Sequence, residues 1–120
     1  MTRLKENWTN YDEDIFTTDF KVAYKRLKRK YLSFDADFRE LMHSLTRSPE
    51  QGVELFDGIR KIRLSIKSKG KGKSGGARVI IRIQQIDDVL VFLYVYDKSE
   101  MENVRDEYLR DIIKRNFNHS

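Results

Sequence analysis

At 120 residues, 39% of them hydrophobic, the chain is long enough for one modest core, and no apolar run approaches the roughly 18 residues that a membrane span needs. It has no cysteine, which excludes disulfides, thiolate zinc sites and a cysteine nucleophile and fits a reducing cytoplasm. The net charge is +5, from 24 basic and 19 acidic residues, and nine of the cations lie between positions 58 and 86, where there is no acid at all. These nine are Arg60, Lys61, Arg63, Lys67, Lys69, Lys71, Lys73, Arg78 and Arg82; the rest of the chain carries 15 basic against 19 acidic residues. A positive field confined to one segment acts on a polyanion, and the usual polyanion is nucleic acid.

Taken in chain order, residues 1–16 show no clear periodicity and read as a flexible arm, with Trp8, Tyr11 and Ile15 as its apolar residues. The polar, acidic start offers no signal-peptide core. Residues 17–117 read as one domain. Phe20, Ala23, Tyr24, Leu27 and Tyr31 recur at helical spacing, with Lys21, Lys25, Lys28 and Arg29 on other faces. A second helix is expected from about Asp35, with Phe38, Leu41, Met42 and Leu45 buried and Pro49 and Gly52 ending it. The short link between the two makes them an antiparallel hairpin.

The period then drops to two. Ile62, Leu64 and Ile66 alternate with Lys61, Arg63 and Ser65, as in a half-buried strand. Residues 67–76 are a glycine-rich loop in which Gly and Ser would keep the backbone extended and mobile. Strands are expected at 77–84 and 89–96, joined around Asp87 and Asp88, with a short edge strand at 53–56. Ser99 and Glu102 have capping-box spacing and would open a C-terminal helix whose inward face is Met101, Val104, Tyr108, Ile112 and Ile113. Strands grouped between helices predict an α+β fold: a helical hairpin, a three- to four-stranded antiparallel sheet and a C-terminal helix.

The alternation also constrains register. With an odd number of residues in the turn between the last two strands, Val79, Ile81 and Ile83 share a face with Val89, Val91, Leu93 and Val95. Arg78, Ile80, Arg82, Phe92, Tyr94 and Tyr96 then share the other. An even turn would set Arg78 and Arg82 among Leu93 and Val95, and burying an unpaired charge costs several kcal/mol, so the odd register is expected. With Arg63 added from the neighbouring strand, an open arginine–tyrosine face would lie beside the lysine loop.

A lysine at every second position of residues 67–73 suits a loop that tracks phosphates, with steep weakening by salt. Gly72-Lys73-Ser74 is not the end of a P-loop, because position 67 is lysine and a strand follows instead of a helix. Gly75 and Gly76 before Arg78 would let a substrate backbone approach while Arg78 binds a phosphate bidentately. Tyr94 and Tyr96 could stack on bases. There is no carboxylate cluster in the basic stretch for a two-metal site, Asp97 stands alone, and His43 and His119 are far apart in sequence, so neither a metal nor a histidine pair is expected. RNA cleavage by this chain would fall to Arg, Lys and Tyr, with the 2′-hydroxyl as nucleophile.

Lys61-Ile62-Arg63, the run Gly70-Lys71-Gly72-Lys73-Ser74-Gly75-Gly76-Ala77-Arg78-Val79-Ile80 and the run Leu93-Tyr94-Val95-Tyr96-Asp97-Lys98-Ser99-Glu100 together resemble the HigB branch of the RelE-like toxin superfamily, over roughly residues 20–113. The resemblance implies a bacterial type II toxin with a microbial-ribonuclease-like fold, acting in the cytoplasm as a metal-independent mRNA endoribonuclease on the ribosome, without cofactor. It also implies a cognate antitoxin, in this branch commonly a helix-turn-helix repressor. It assigns Arg63 and Arg78 to the scissile phosphate, matches Lys71, Lys73 and Lys98 to its basic residues, and sets Tyr94 or Tyr96 in place of its tyrosine, so that Lys98 and Tyr96 complete the catalytic group. The charge pattern and the strand face add Lys67, Lys69 and Arg82 to Lys71, Lys73 and Tyr94 for RNA binding. Two alternatives stand beside it: a non-enzymatic toxin of the same fold acting on DNA gyrase, and a plain basic nucleic-acid-binding module. The enzyme reading expects Arg78→Ala to abolish activity with the fold intact, since Arg78 would lie on an open face.

Overall fold

The computed structural model describes residues 15–69, 75–84 and 89–117. Residues 1–14, Lys71 and Lys73 of the basic loop, and the Asp87-Asp88 turn lie outside them. The order is helix α1 (Thr18–Lys30), helix α2 (Phe34–Arg47), strands β1 (Val53–Phe56), β2 (Ile59–Leu64), β3 (Ala77–Gln84) and β4 (Val89–Asp97), and helix α3 (Asp106–Phe117). The four strands form one antiparallel sheet in the order β1-β2-β3-β4. The α+β architecture expected from the alternating periods is the one found.

One face of the sheet carries the helical hairpin. α1 begins at Thr17, whose hydroxyl accepts the Phe20 N–H at 3.0 Å and donates to the Leu93 carbonyl at 2.7 Å. The Thr17 N–H donates to Phe92 O at 3.1 Å, so the helix start is fastened to β4. Asp19 in the first turn and Lys28, Arg29 and Lys30 in the last complement the helix dipole. The α2 stripe is buried as expected, and Phe20, Phe38 and Phe92 meet with ring centroids 5.5–5.6 Å apart. Ile15 and Phe16 pack onto this cluster.

Phe92 in that cluster corrects the expected register. Gln84 pairs with Val89, so an even number of residues joins β3 and β4, and Arg82 pairs with Val91. A β-bulge between the Ile81–Phe92 and Ile80–Tyr94 pairs then shifts the register by one, so Val79 meets Val95 and Arg78 meets Tyr96. The odd register therefore holds only at the Arg78 end. Leu90, Phe92 and Val95 face the helical hairpin, while Val91 and Leu93 face the other way with Ile80 and Tyr96. An extra residue in one strand resolves the parity conflict that an even turn creates.

The second face is not open. α3 covers it with Leu109 and Ile112, which pack with Ile59, Ile80, Val91 and Leu93. This helix starts at Asp106, not at Ser99. Asp97 organises the intervening turn: its carbonyl accepts the Glu100 and Met101 N–H groups at 3.0 and 3.1 Å, and its carboxylate accepts the Ser99 N–H and hydroxyl at 2.9 and 2.7 Å. With Ser99 turned to Asp97 and Glu102 held by Lys98 at 2.9 Å, the capping box cannot form. Met101 and Tyr108 are exposed accordingly.

Candidate phosphate-binding site

Three adjacent strands place Arg63, Arg78 and Tyr96 side by side, since Arg63 pairs with Arg78 and Arg78 with Tyr96. Paired residues point to the same face, so the row spans about 10 Å at the usual spacing of about 4.8 Å between strands. Arg63 is exposed, whereas Arg78 is 5% and Tyr96 4% exposed. Arg78 is therefore not on an open face as expected; it sits covered in the middle of the row with its guanidinium donating to Ala77 O at 3.1 Å. Burial, and then the neighbouring Arg63 charge, lower the Arg78 pKa. Two guanidiniums side by side, one of them desolvated, form a site whose electrostatics an anion would relieve.

The Tyr96 hydroxyl is buried and has no hydrogen-bond partner among the described residues. Burial raises its pKa, and Arg78 opposes the shift. Lys61, two residues before Arg63 on β2, and Lys98, just past the end of β4, lie at the rim. The Lys61 ammonium donates to Asn103 Oδ1 at 3.2 Å, and that of Lys98 to the Glu102 carboxylate at 2.9 Å and carbonyl at 3.1 Å. Among the described residues no group of three or more His, Cys, Asp or Glu could hold a metal ion.

A family model described as the RelE toxin of the RelE / RelB toxin–antitoxin system matches residues 20–116. The chain belongs to the RelE toxin family. The match runs from the first turn of α1 to the last turn of α3 and includes every residue of the row. A RelE-family toxin has a cognate antitoxin as its partner. No described helix is long and apolar enough to cross a membrane.

The remaining residues singled out in the sequence of this RelE-family chain are scattered more widely than expected. Tyr94 lies near Tyr96, ring centroids 6.3 Å apart, and meets Tyr108 edge-on at 5.4 Å. Both Tyr94 and Tyr96 line a cavity of ≈ 640 Å³ between α1 and the outer edge of β4, with Arg26 and Met101. Arg82 is four residues along β3 from Arg78, about 13 Å at roughly 3.3 Å per residue, at the other end of the sheet. The basic loop does not begin extended: Lys67–Lys69 is a 3-10 turn. Its Lys67 pairs with Glu40 at 2.8 Å on the surface. Lys69, expected on RNA, is instead committed to Asp97 at 2.5 Å and Ser99 at 2.9 Å. Asp97 is far from alone: 1% exposed, it also accepts from the Tyr31 hydroxyl and lies 3.6 Å from the Lys30 ammonium.

Gly76 lets two segments of its own chain approach closely. A Cβ there would lie 2.1 Å from Leu64 O, and its carbonyl accepts the Lys98 N–H at 3.0 Å. Gly76→Ala is expected to cost about 1–3 kcal/mol by forcing β2 and β3 apart next to Arg78, read as a lower denaturation midpoint with an unchanged m-value. Lys61, Glu102 and Asn103 join the rim although no sequence motif assigns them to it. Lys61 was legible from its spacing to Arg63; Glu102 and Asn103 reach the rim only through the Asp97 turn, which has no sequence pattern of its own.

Proposed function

We propose that this toxin is a HigB-like, ribosome-dependent mRNA endoribonuclease acting in the cytoplasm without a metal ion, restrained by a helix-turn-helix antitoxin. The observation that carries the proposal is the Arg63–Arg78–Tyr96 row: adjacent cations beside a buried phenol that lacks a partner among the described residues. The RNA 2′-hydroxyl attacks the adjacent phosphorus, the bond to the 5′-oxygen breaks, and a cyclic phosphate and a 5′-hydroxyl result. Arg63 and Arg78 stabilise the charge that builds on the pentacovalent phosphate. Tyr96, kept protonated by burial, donates its proton to the leaving 5′-oxygen. Lys98 holds the Glu102 carboxyl below its ordinary range, so Glu102 is ionised at neutral pH and takes the 2′-hydroxyl proton. Lys67 and Tyr94, and Lys71 and Lys73 from the loop, hold the strand.

Cleavage-site mapping of a reporter mRNA in a cell-free translation reaction tests this, with wild type beside Tyr96→Phe. The expected result is in-frame cutting that needs ribosomes and falls about 10²–10⁴-fold in the variant, as for loss of a proton-transfer group. Thermal stability should not fall, because the hydroxyl makes no hydrogen bond among the described residues. Intact mRNA with the wild-type protein would overturn the proposal and make gyrase the next target to test.

A further inference from the structure

At the end of the sheet away from Arg78, a cavity of ≈ 470 Å³ opens between the β1–β2 turn and the second half of α3, lined by Phe56, Asp57, Arg82, Arg110, Lys114 and Phe117 among others. Its wall is pre-formed. The turn is a tight one, with Asp57 and Gly58 at φ +45° and +78°, and the Gly58 carbonyl accepts the Ile83 N–H of β3 at 3.2 Å. The Arg110 guanidinium stacks on the Phe56 ring, 4.2 Å from its centroid, and lies 3.9 Å from Asp57. Stacking by its face leaves the N–H fork of an arginine available at its edge. Arg82 and Lys114 make no hydrogen bond or ion pair among the described residues, although Arg82 is half-buried.

We propose that this cleft is a second subsite for single-stranded RNA, holding one phosphate among Arg82, Arg110 and Lys114 and one base on Phe117. It presupposes the RNA face proposed above and extends it along the same side of β3, from Arg78 to Arg82. The charge balance selects the ligand. Three cations face two carboxylates, Asp57 and Asp111, which leaves a surplus of one: enough for a single phosphate, whereas an acidic peptide would bring several carboxylates against those two. The aromatic rings supply what a base needs and an isolated anion does not. The sequence singled out Arg82 for RNA but set it beside Arg78; the fold gives it separate partners.

The test is fluorescence anisotropy with non-cleavable 2′-O-methyl RNA of about four and about sixteen nucleotides, the range of single-strand site sizes, across a salt series. Arg110→Gln with Lys114→Gln changes only exposed helix positions. It should reduce the salt slope on the long strand by about 0.7, one phosphate contact, and leave the short strand unaffected. Phe117→Leu should weaken the long strand about tenfold or more. Arg63→Gln should weaken both. Unchanged long-strand binding in the cleft variants, with the Arg63 effect present, overturns the subsite and leaves the RNA face standing. Failure of the wild type to bind either strand overturns the subsite, while in-frame cutting on ribosomes decides the RNA face separately. Loss of binding to polyglutamate, with RNA binding unaffected, would overturn the RNA subsite and assign the cleft to a protein partner.

Discussion

Arg78→Met should cut mRNA cleavage by about 10²–10³-fold while the chain stays folded. The catalytic side follows from the row: removing a group that stabilises developing charge typically costs about 10²–10³-fold. The stability side follows from burial. At 5% exposure the side chain is desolvated, and both this and the Arg63 charge disfavour its ionised form. A methionine fills the space and removes both penalties along with the hydrogen bond to Ala77 O, whereas alanine would add a cavity and confuse the two effects. The measurements are single-turnover cleavage on programmed ribosomes and calorimetry of the same preparation. Cleavage at the wild-type rate would remove Arg78 from the chemistry; a fall of many degrees in melting temperature would make it a structural residue.

Asp97→Ala should destabilise the fold by about 3 kcal/mol or more, because it leaves the largely covered Lys69 ammonium without its carboxylate and empties a buried hydrogen-bonded site. Burial alone would raise the Asp97 pKa, but hydrogen bonds from Lys69, Tyr31 and Ser99 outweigh it and hold the carboxyl far below the ordinary range. The sign follows from linkage. A depressed folded-state pKa means that the unfolded chain takes up the proton first as pH falls. The Asp97 contribution is thus complete above the unfolded value of about 3.9 and is lost progressively below it. Urea midpoints of wild type and variant should therefore differ most at neutral pH and converge in acid. A constant difference from pH 7 to pH 2 would rule out the ionised carboxylate as the cause. Lys69→Met combined with Asp97→Leu should recover much of the loss, since an apolar pair replaces a charge left alone.

The elements themselves were legible because their signals are local. The Phe20–Tyr31 spacing, the Phe38–Leu45 stripe and the alternation along β2 and β3 each depend on a few neighbouring residues, and the helices and strands stand where those patterns put them. Arg63, Arg78 and Tyr96 were legible as a group for the same reason: strand parity alone puts them on one face once the register is right. What escaped was set by contacts distant in sequence. The bulge at Leu93 answers a hairpin length on one side and Thr17 on the other. The late start of α3 depends on Asp97 taking Ser99 away from its capping role, and Asp97 is buried only because Tyr31 and Lys69 arrive from other elements. Arg82 carries the same residue type and parity as Arg78, and only the placement of α3 between them shows that they serve different ends of the sheet.

The extra residue in β4 divides the molecule into two independently numbered halves. On the hairpin side, pairing is counted from the turn; on the Tyr96 side, it is counted from the place where Thr17 clips onto Phe92 and Leu93. A residue inserted into or deleted from the turn between β3 and β4 has a natural place to be absorbed, and the arginine row need not shift with it. Conversely, a change at Thr17, 76 positions before Leu93 in the chain, acts at the point from which Tyr94 and Tyr96 take their alignment. Relatives of this toxin can therefore vary in hairpin length without losing the row, while the first turn of α1, remote from any phosphate, is where a single substitution would put it out of step.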